Sequence, residues 1–168
     1  MKIEQPAASD HPDILALNES ALPHVNRIST DDLAGFAEQS CYFRIVRENE
    51  ELAAFLLAFS EGAIYSSPNF IWFRDRYPRF VYIDRIVVAP TQRRSGIGRL
   101  LYSDLERFAS AHAPALTCEV NLNPPNPGSF VFHERTGFVE VGRQYTDGGE
   151  KLVCLMSKDL SQQVVSSS

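Results

Sequence analysis

A chain of 168 residues with 44% hydrophobic and 11% aromatic content is long enough for one domain with a buried core and short for two. Its formal charge of −5 and pI near 5.4 run against the basic face of a nucleic-acid binder and lean towards neutral or cationic small partners. Met1-Lys2-Ile3-Glu4 is too polar for a signal peptide, no window approaches the roughly 18 apolar residues of a membrane span, and Cys41, Cys118 and Cys154 form no C-x-x-C pair. The expectation is a soluble cytoplasmic protein with buried, reduced thiols, no disulfide framework and no metal site.

Hydrophobic periods of two and 3.6 alternate along the chain without an internal repeat. After a short strand near residues 2–5, Ser9-Asp10 with Pro12 just inside predicts a helix whose apolar face is Ile14, Leu17 and Ala21. A second helix starts at Ser29, where Ser29 and Asp32 have capping-box spacing ahead of Leu33, Phe36 and Ala37. Two strand-like runs, 41–48 and 51–60, meet at Glu48-Asn49-Glu50 as a hairpin. Residues 61–79 are the least regular part. They hold Tyr65, Phe70, Trp72, Phe73 and Tyr77 interleaved with Arg74, Asp75 and Arg76, rings that suit either a lid over the core or the wall of a pocket. Residues 80–88 read as a strong strand, 96–112 as a helix with Ile97, Leu101, Leu105 and Phe108 on one stripe, and 116–121 as a further strand. The turn-rich NLNPPNPG leads into a short helix ending at Thr136, and VEVGRQY and KLVCLMS make a last hairpin closed by Asp147-Gly148-Gly149. The order βααβββαβαββ predicts a mixed α/β sheet in one domain over residues 1–160, with 161–168 as a disordered tail.

The segment VVAPTQRRSGIGRLL, residues 87–101, carries the most chemistry. Glycines at a strand-to-helix turn leave successive backbone N–H groups pointing outward, and the helix dipole adds about half a positive charge there, a setting for a pyrophosphate. Gly96 and Gly98 permit close backbone approach, and Arg93 and Arg94 add charge. A tight turn with solvated arginines accounts for the same residues. Two phosphate-loop patterns fail in detail, since there is no G-x-x-x-x-G-K-[ST] and Leu101 stands where a third glycine of G-x-G-x-x-G belongs.

Val88-x-Pro90-x-x-Arg93-x-x-Gly96-x-Gly98 resembles the acetyl-CoA motif of the GCN5-related N-acetyltransferase (GNAT) superfamily. A second block resembles it too: Asn126-Pro-Gly-Ser129-Phe-Val-Phe132-His133-Glu-Arg-Thr-Gly137-Phe138 matches Asn-x-x-Ala/Ser-x-x-Phe-Tyr-x-x-x-Gly-Phe, with His133 replacing the tyrosine. The likeness covers residues 80–145; the N-terminal half matches in element order. It implies the acyl-CoA N-acyltransferase fold, a mixed and mostly antiparallel central sheet flanked by helices. It also implies direct transfer of acetyl from acetyl-CoA to a primary amine, without a metal. On this resemblance the main chain of Ile86, Val87 and Val88 pairs with the pantetheine arm as an extra strand. Gln92, Arg93, Arg94, Ser95, Gly96, Ile97 and Gly98 hold the pyrophosphate. Asn126, besides capping its helix, reaches pantetheine or substrate, and Ser129 and Phe132 flank the thioester end.

An amine with a pKa near ~10 is free in only ~10⁻³ of its population at neutral pH, so a base accelerates its acylation. Asp84 is the first candidate: it shares strand parity with Tyr82, Ile86 and Val88, and the positions matching Tyr82 and Asp84 carry the proton-relay pair in the related serotonin-acetylating enzymes. The competing reading places Asp84 in an ion pair with Arg85 or another arginine, although strand neighbours point to opposite faces. Glu119 is the second candidate base. His133 stands where the family's tyrosine protonates the leaving thiolate, and His24 and Asn26 lie in the connection that lines the substrate end in this fold. The acceptor expected is a small-molecule amine, with peptide amines open; a non-catalytic acyl-CoA-binding or sensing domain is the alternative. No nucleic-acid or membrane partner is expected, and a homodimer is compatible with the sequence.

Overall fold

The computed structural model describes residues 1–161, so of the expected tail, 162–168 lie outside the described residues. The elements are β1 (Lys2–Glu4), α1 (His11–Glu19), α2 (Thr30–Gln39), β2 (Tyr42–Glu48), β3 (Glu51–Ser60), α3 (Pro68–Arg74), β4 (Val81–Val88), α4 (Ile97–Ser110), β5 (Ala115–Asn123), α5 (Pro127–Arg135), β6 (Val139–Thr146) and β7 (Lys151–Asp159). The strands form one seven-stranded sheet in the order β1-β2-β3-β4-β5-β7-β6, mixed and mostly antiparallel as expected, with β4 and β5 parallel. The parallel pair needs a crossover, which α4 supplies.

The residues fall into two compact units, the first made of Met1–Phe59 and Asp84–Leu105. Its strands β1, β2 and β3 are an antiparallel meander in which Ile3 faces Val46 and Arg44 faces Leu56. The β2–β3 turn is two residues, Asn49 (φ 52°) and Glu50 (φ 67°), the pair of left-handed conformations that matches strand twist. All seven residues from Ala53 to Phe59 are buried, so β3 is covered on both faces. Helix α2 starts in the expected capping box: the Ser29 N–H donates to Asp32 Oδ2 (2.9 Å) and the Asp32 N–H to Ser29 Oγ (3.0 Å). These bonds hold the Asp32 carboxyl below its ordinary range. Ile14 and Leu17 of α1 and Ile97, Leu101 and Leu105 of α4 are buried, as their periodicity requires.

The second unit comprises Ser60–Ile83 and, from Glu106, the rest of the described residues. Here Val81 and Tyr82 pair with Leu116 and Thr117, β5 runs antiparallel to β7, and β7 to β6. The aromatic stretch contains a helix that the sequence reading passes over: Pro68 opens α3 after Ser67, and Phe70 and Phe73, three apart, are fully buried. Their rings pack tilted or edge-on against Phe80, and against Tyr82 at 5.7 and 6.1 Å, so this part of the stretch is core. The Trp72 ring occupies the space where a side chain at position 142 would stand; a Cβ on residue 142 would lie 2.4 Å from it. Asp147, Gly148 and Gly149 close the β6–β7 hairpin, all with positive φ (53°, 65° and 93°).

Candidate active site

In the first unit, the Gly96 loop is shaped by two left-handed residues. Pro90–Gln92 form a tight turn, Arg93 is extended (φ −65°, ψ 147°), Arg94 is left-handed (φ 65°) and Gly96 is left-handed again (φ 88°). Ser95 Oγ donates to the Gln92 carbonyl across the loop. Gly96 is exposed, and its carbonyl accepts the Leu100 N–H (3.0 Å), which places it at the mouth of α4 while Ile97 beneath it is buried. A Cβ built at Gly96 meets no atom within 4 Å. The space over this backbone is open, and Arg93, Arg94 and Ser95 around it are exposed. Left-handed residues in a turn that runs into a helix start leave backbone N–H groups available at one place, a setting that suits an anion. Ile86 and Val88 alternate with buried Val87 on the strand leading into it.

Asp84 and Arg85 form a buried ion pair: Arg85 Nε lies 2.6 Å from Asp84 Oδ2, with side chains 7% and 4% exposed. Strand alternation argues against neighbours pairing, but the long arginine side chain turns back on its own strand. Its Nη1 donates to Asn18 Oδ1 and to the Asn26 carbonyl, each at 3.0 Å, and its Cζ lies 5.9 Å from the Phe36 ring centre. Asn18, itself buried, donates from Nδ2 to the same Asn26 carbonyl (3.0 Å).

In the second unit, the Tyr82 hydroxyl donates to Glu119 Oε2 at 2.6 Å. Tyr82 is fully buried and Glu119 half-buried. The β4–β5 register makes this contact: Tyr82 faces Thr117, and Glu119 lies one pleat repeat further on the same face. A carboxylate with one oxygen held by a phenol and with part of its surface open is a competent proton acceptor. The Asp84–Arg85 pair is the one the competing reading of Asp84 named; the bonds from Arg85 to Asn18 and Asn26 and the Tyr82–Glu119 bond were not legible in the sequence, and only the strand register pairs Tyr82 with Glu119.

Helix α5 starts with Asn126 as its cap, Oδ1 accepting the Ser129 N–H at 3.4 Å, with Pro127 in the first turn. His133, one turn on from Ser129, is 4% exposed and packs edge-on against Phe132 and Phe138. Its Nδ1 lies 2.7 Å from the Ser129 carbonyl, which can only accept, so Nδ1 carries the proton. In the neutral ring Nε2 is then an acceptor, and only the imidazolium has a proton to give there. Burial pushes this imidazole below its ordinary 6.5, against the smaller opposite effect of the Ser129 carbonyl. Because the folded chain binds this proton more weakly than the unfolded one, the stability His133 contributes is complete above pH ~6.5 and is lost as pH falls through the lowered value. Denaturant titrations from pH 7.5 to 5 are expected to show that loss, and His133→Phe is expected to flatten it.

Burial also pushes the Cys118 thiol well above its ordinary range, and burial with the Glu140 hydrogen bond pushes Cys154 to about 12. Neither is a thiolate nucleophile at neutral pH. Among the described residues no group of three metal-ligating side chains converges, and no helix is long and apolar enough to cross a membrane.

The sequence model of the acetyltransferase (GNAT) family matches residues 12–138. No curated protein matches the sequence. Solved structures match it in fold: the ribosomal-protein-S18-alanine N-acetyltransferase of Escherichia coli (TM-score 0.72, 19% identity, 95% of this chain and 94% of that one); Naa20 of Chaetomium thermophilum in complex with a bisubstrate analogue (0.75, 22%, 98% and 90%); and an N-acetyltransferase of Staphylococcus aureus (0.71, 18%, 95% and 98%). At these identities the likeness is one of fold.

Proposed function

Because this chain belongs to the acetyltransferase (GNAT) family, we propose that it moves the acetyl group of acetyl-CoA directly to a primary amine, that of a small molecule. The observation that carries this reading is the open, left-handed turn at Arg94 and Gly96 at the head of α4. The pyrophosphate meets the backbone N–H groups of residues 92–98 with Arg93 and Arg94 beside them. The main chain of Ile86, Val87 and Val88 pairs with the pantetheine arm. Asn126, Ser129 and Phe132 attend the thioester end, and residues 19–29 with the aromatic segment supply the acceptor end. Because the family match spans residues of both units, we take 1–160 as one catalytic domain.

For the base, Glu119 supported by Tyr82 moves ahead of Asp84, whose carboxylate is engaged by Arg85. Glu119 takes a proton from the ammonium, directly or through water, and leaves the amine lone pair free to attack. His133 supplies the thiolate's proton only in its imidazolium form; at neutral pH the second proton, which the nitrogen sheds after attack as the carbon–sulfur bond breaks, is the better source. The net charge of −5 favours a cationic acceptor over an anionic one.

The reading is tested by colorimetric thiol release from acetyl-CoA with amino acids, polyamines, aminoglycosides and short peptides as acceptors. Steady release with a small amine is the expected result. Release with peptides alone moves the acceptor to a protein amine, and tight acetyl-CoA binding with no release from any amine replaces the enzyme with a binding or sensing domain.

A further inference from the structure

A buried guanidinium is a costly thing to place in a core, and next to an apolar replacement an ion pair such as Arg85–Asp84 adds little net stability. What it adds is direction. The arginine fork reaches three parts of the first unit: its own strand through Asp84, helix α1 through Asn18, and the connection between α1 and α2 through the Asn26 carbonyl. That connection, residues 20–29, has Ile28 as its buried apolar side chain, while Pro23, His24, Asn26, Arg27 and Ser29 are exposed. An exposed Arg27–Glu19 ion pair at 2.9 Å, the Ser20 hydroxyl donating to the Leu17 carbonyl and the Ser29–Asp32 capping box tie its ends to α1 and α2, and surface pairs hold little. The two bonds converging on the Asn26 carbonyl hold the middle of the segment to two buried side chains.

The level of this clasp along β4 gives it a role. From Val88 back to Arg85 is three residues, ~10 Å of strand. An arm that starts from a pyrophosphate at residues 92–98 and pairs with Val88, Val87 and Ile86 ends beside Arg85. We propose that Arg85, acting through Asn18 and the Asn26 carbonyl, is a positioning residue that holds the 20–29 connection at the level where the acyl group arrives, and so sets affinity for the acceptor amine without contacting it. This inference rests on the acetyltransferase reading.

Two variants keep a charge opposite Asp84 and so avoid stranding it. Asn18→Ala removes one donor and one acceptor from the clasp and leaves the ion pair. Arg85→Lys keeps a cation for Asp84 but lacks the fork that serves two further acceptors. Both are expected to raise the acceptor KM about tenfold, with kcat and the acetyl-CoA Kd within about twofold of wild type. Amide hydrogen exchange is expected to quicken in residues 20–29 and not in β2 or β3. Folded variants with the wild-type acceptor KM overturn the proposal, as does a parallel loss in KM, kcat and acetyl-CoA affinity, which marks general loosening. A wild-type chain that binds acetyl-CoA but acetylates no amine overturns the acetyltransferase reading itself, and this inference with it.

Discussion

Gly96→Val is expected to weaken acetyl-CoA binding by at least ~100-fold and to remove the ligand-dependent rise in Tm, in a chain that still folds. Gly96 has φ 88° and open space where a Cβ would stand, so in the free protein the substitution meets no neighbour and imposes only backbone strain. That strain is ~1–2 kcal/mol for an ordinary side chain and greater for a β-branched one, within what a domain of this size tolerates. The valine side chain instead fills the volume through which a pyrophosphate approaches the N–H groups, and the backbone relaxes away from the left-handed angle that aims them. Arg93→Ala removes charge without changing the loop and is expected to weaken binding ~10-fold, the scale of one charge-assisted hydrogen bond. Calorimetry on the folded variants is the check. Unchanged affinity in Gly96→Val removes the phosphate-loop assignment.

Glu119→Gln is expected to lower kcat/KM by ~10²–10⁴-fold at pH 7 with acetyl-CoA affinity unchanged, because the amide keeps the shape and loses the basicity. The deficit is expected to shrink towards pH 9.5, where an amine of pKa ~10 supplies its own free base. Asp84→Asn separates the two carboxylates. It takes away the negative partner of buried Arg85, so its main effect is expected in stability, with a smaller loss of turnover that does not narrow at high pH. A Glu119→Gln enzyme with an equal deficit at pH 7 and 9.5 assigns that carboxylate to orientation, and a pH-sensitive deficit in Asp84→Asn instead returns the base role to Asp84.

What the sequence made legible is what local periodicity and capping chemistry encode. The buried stripe of α4, the Ser29–Asp32 box and the Asn126 cap are all statements about residues within one turn of each other. Helix α3 was harder because seven residues give fewer than two full repeats of an apolar stripe, and the surrounding rings mask the period; Ser67-Pro68 was the available signal. The candidate site was legible as a set of positions and, beyond the Asp84–Arg85 pair, not as a set of partnerships. Parity puts Tyr82 and Asp84 on one face, yet Tyr82 bonds Glu119, 37 residues on. Arg85 reaches Asn18 across 67 residues. Such contacts depend on strand register and helix placement, which the whole chain decides together, and on the reach of a long side chain, which alternation rules ignore.

Trp72 is the chain's single tryptophan, and it sits against Gly142 on one side with the Arg76 guanidinium 4.0 Å from its ring centre. The intrinsic emission of the protein excited at the indole band therefore originates at one contact, between α3 and β6 of the second unit. Emission during denaturation follows the loss of that contact and carries no signal of its own from the meander or from the helices of the first unit, whereas far-ultraviolet circular dichroism sums over both. Coincident midpoints by the two probes mean that the units melt as one cooperative body, and separated midpoints mean that they do not.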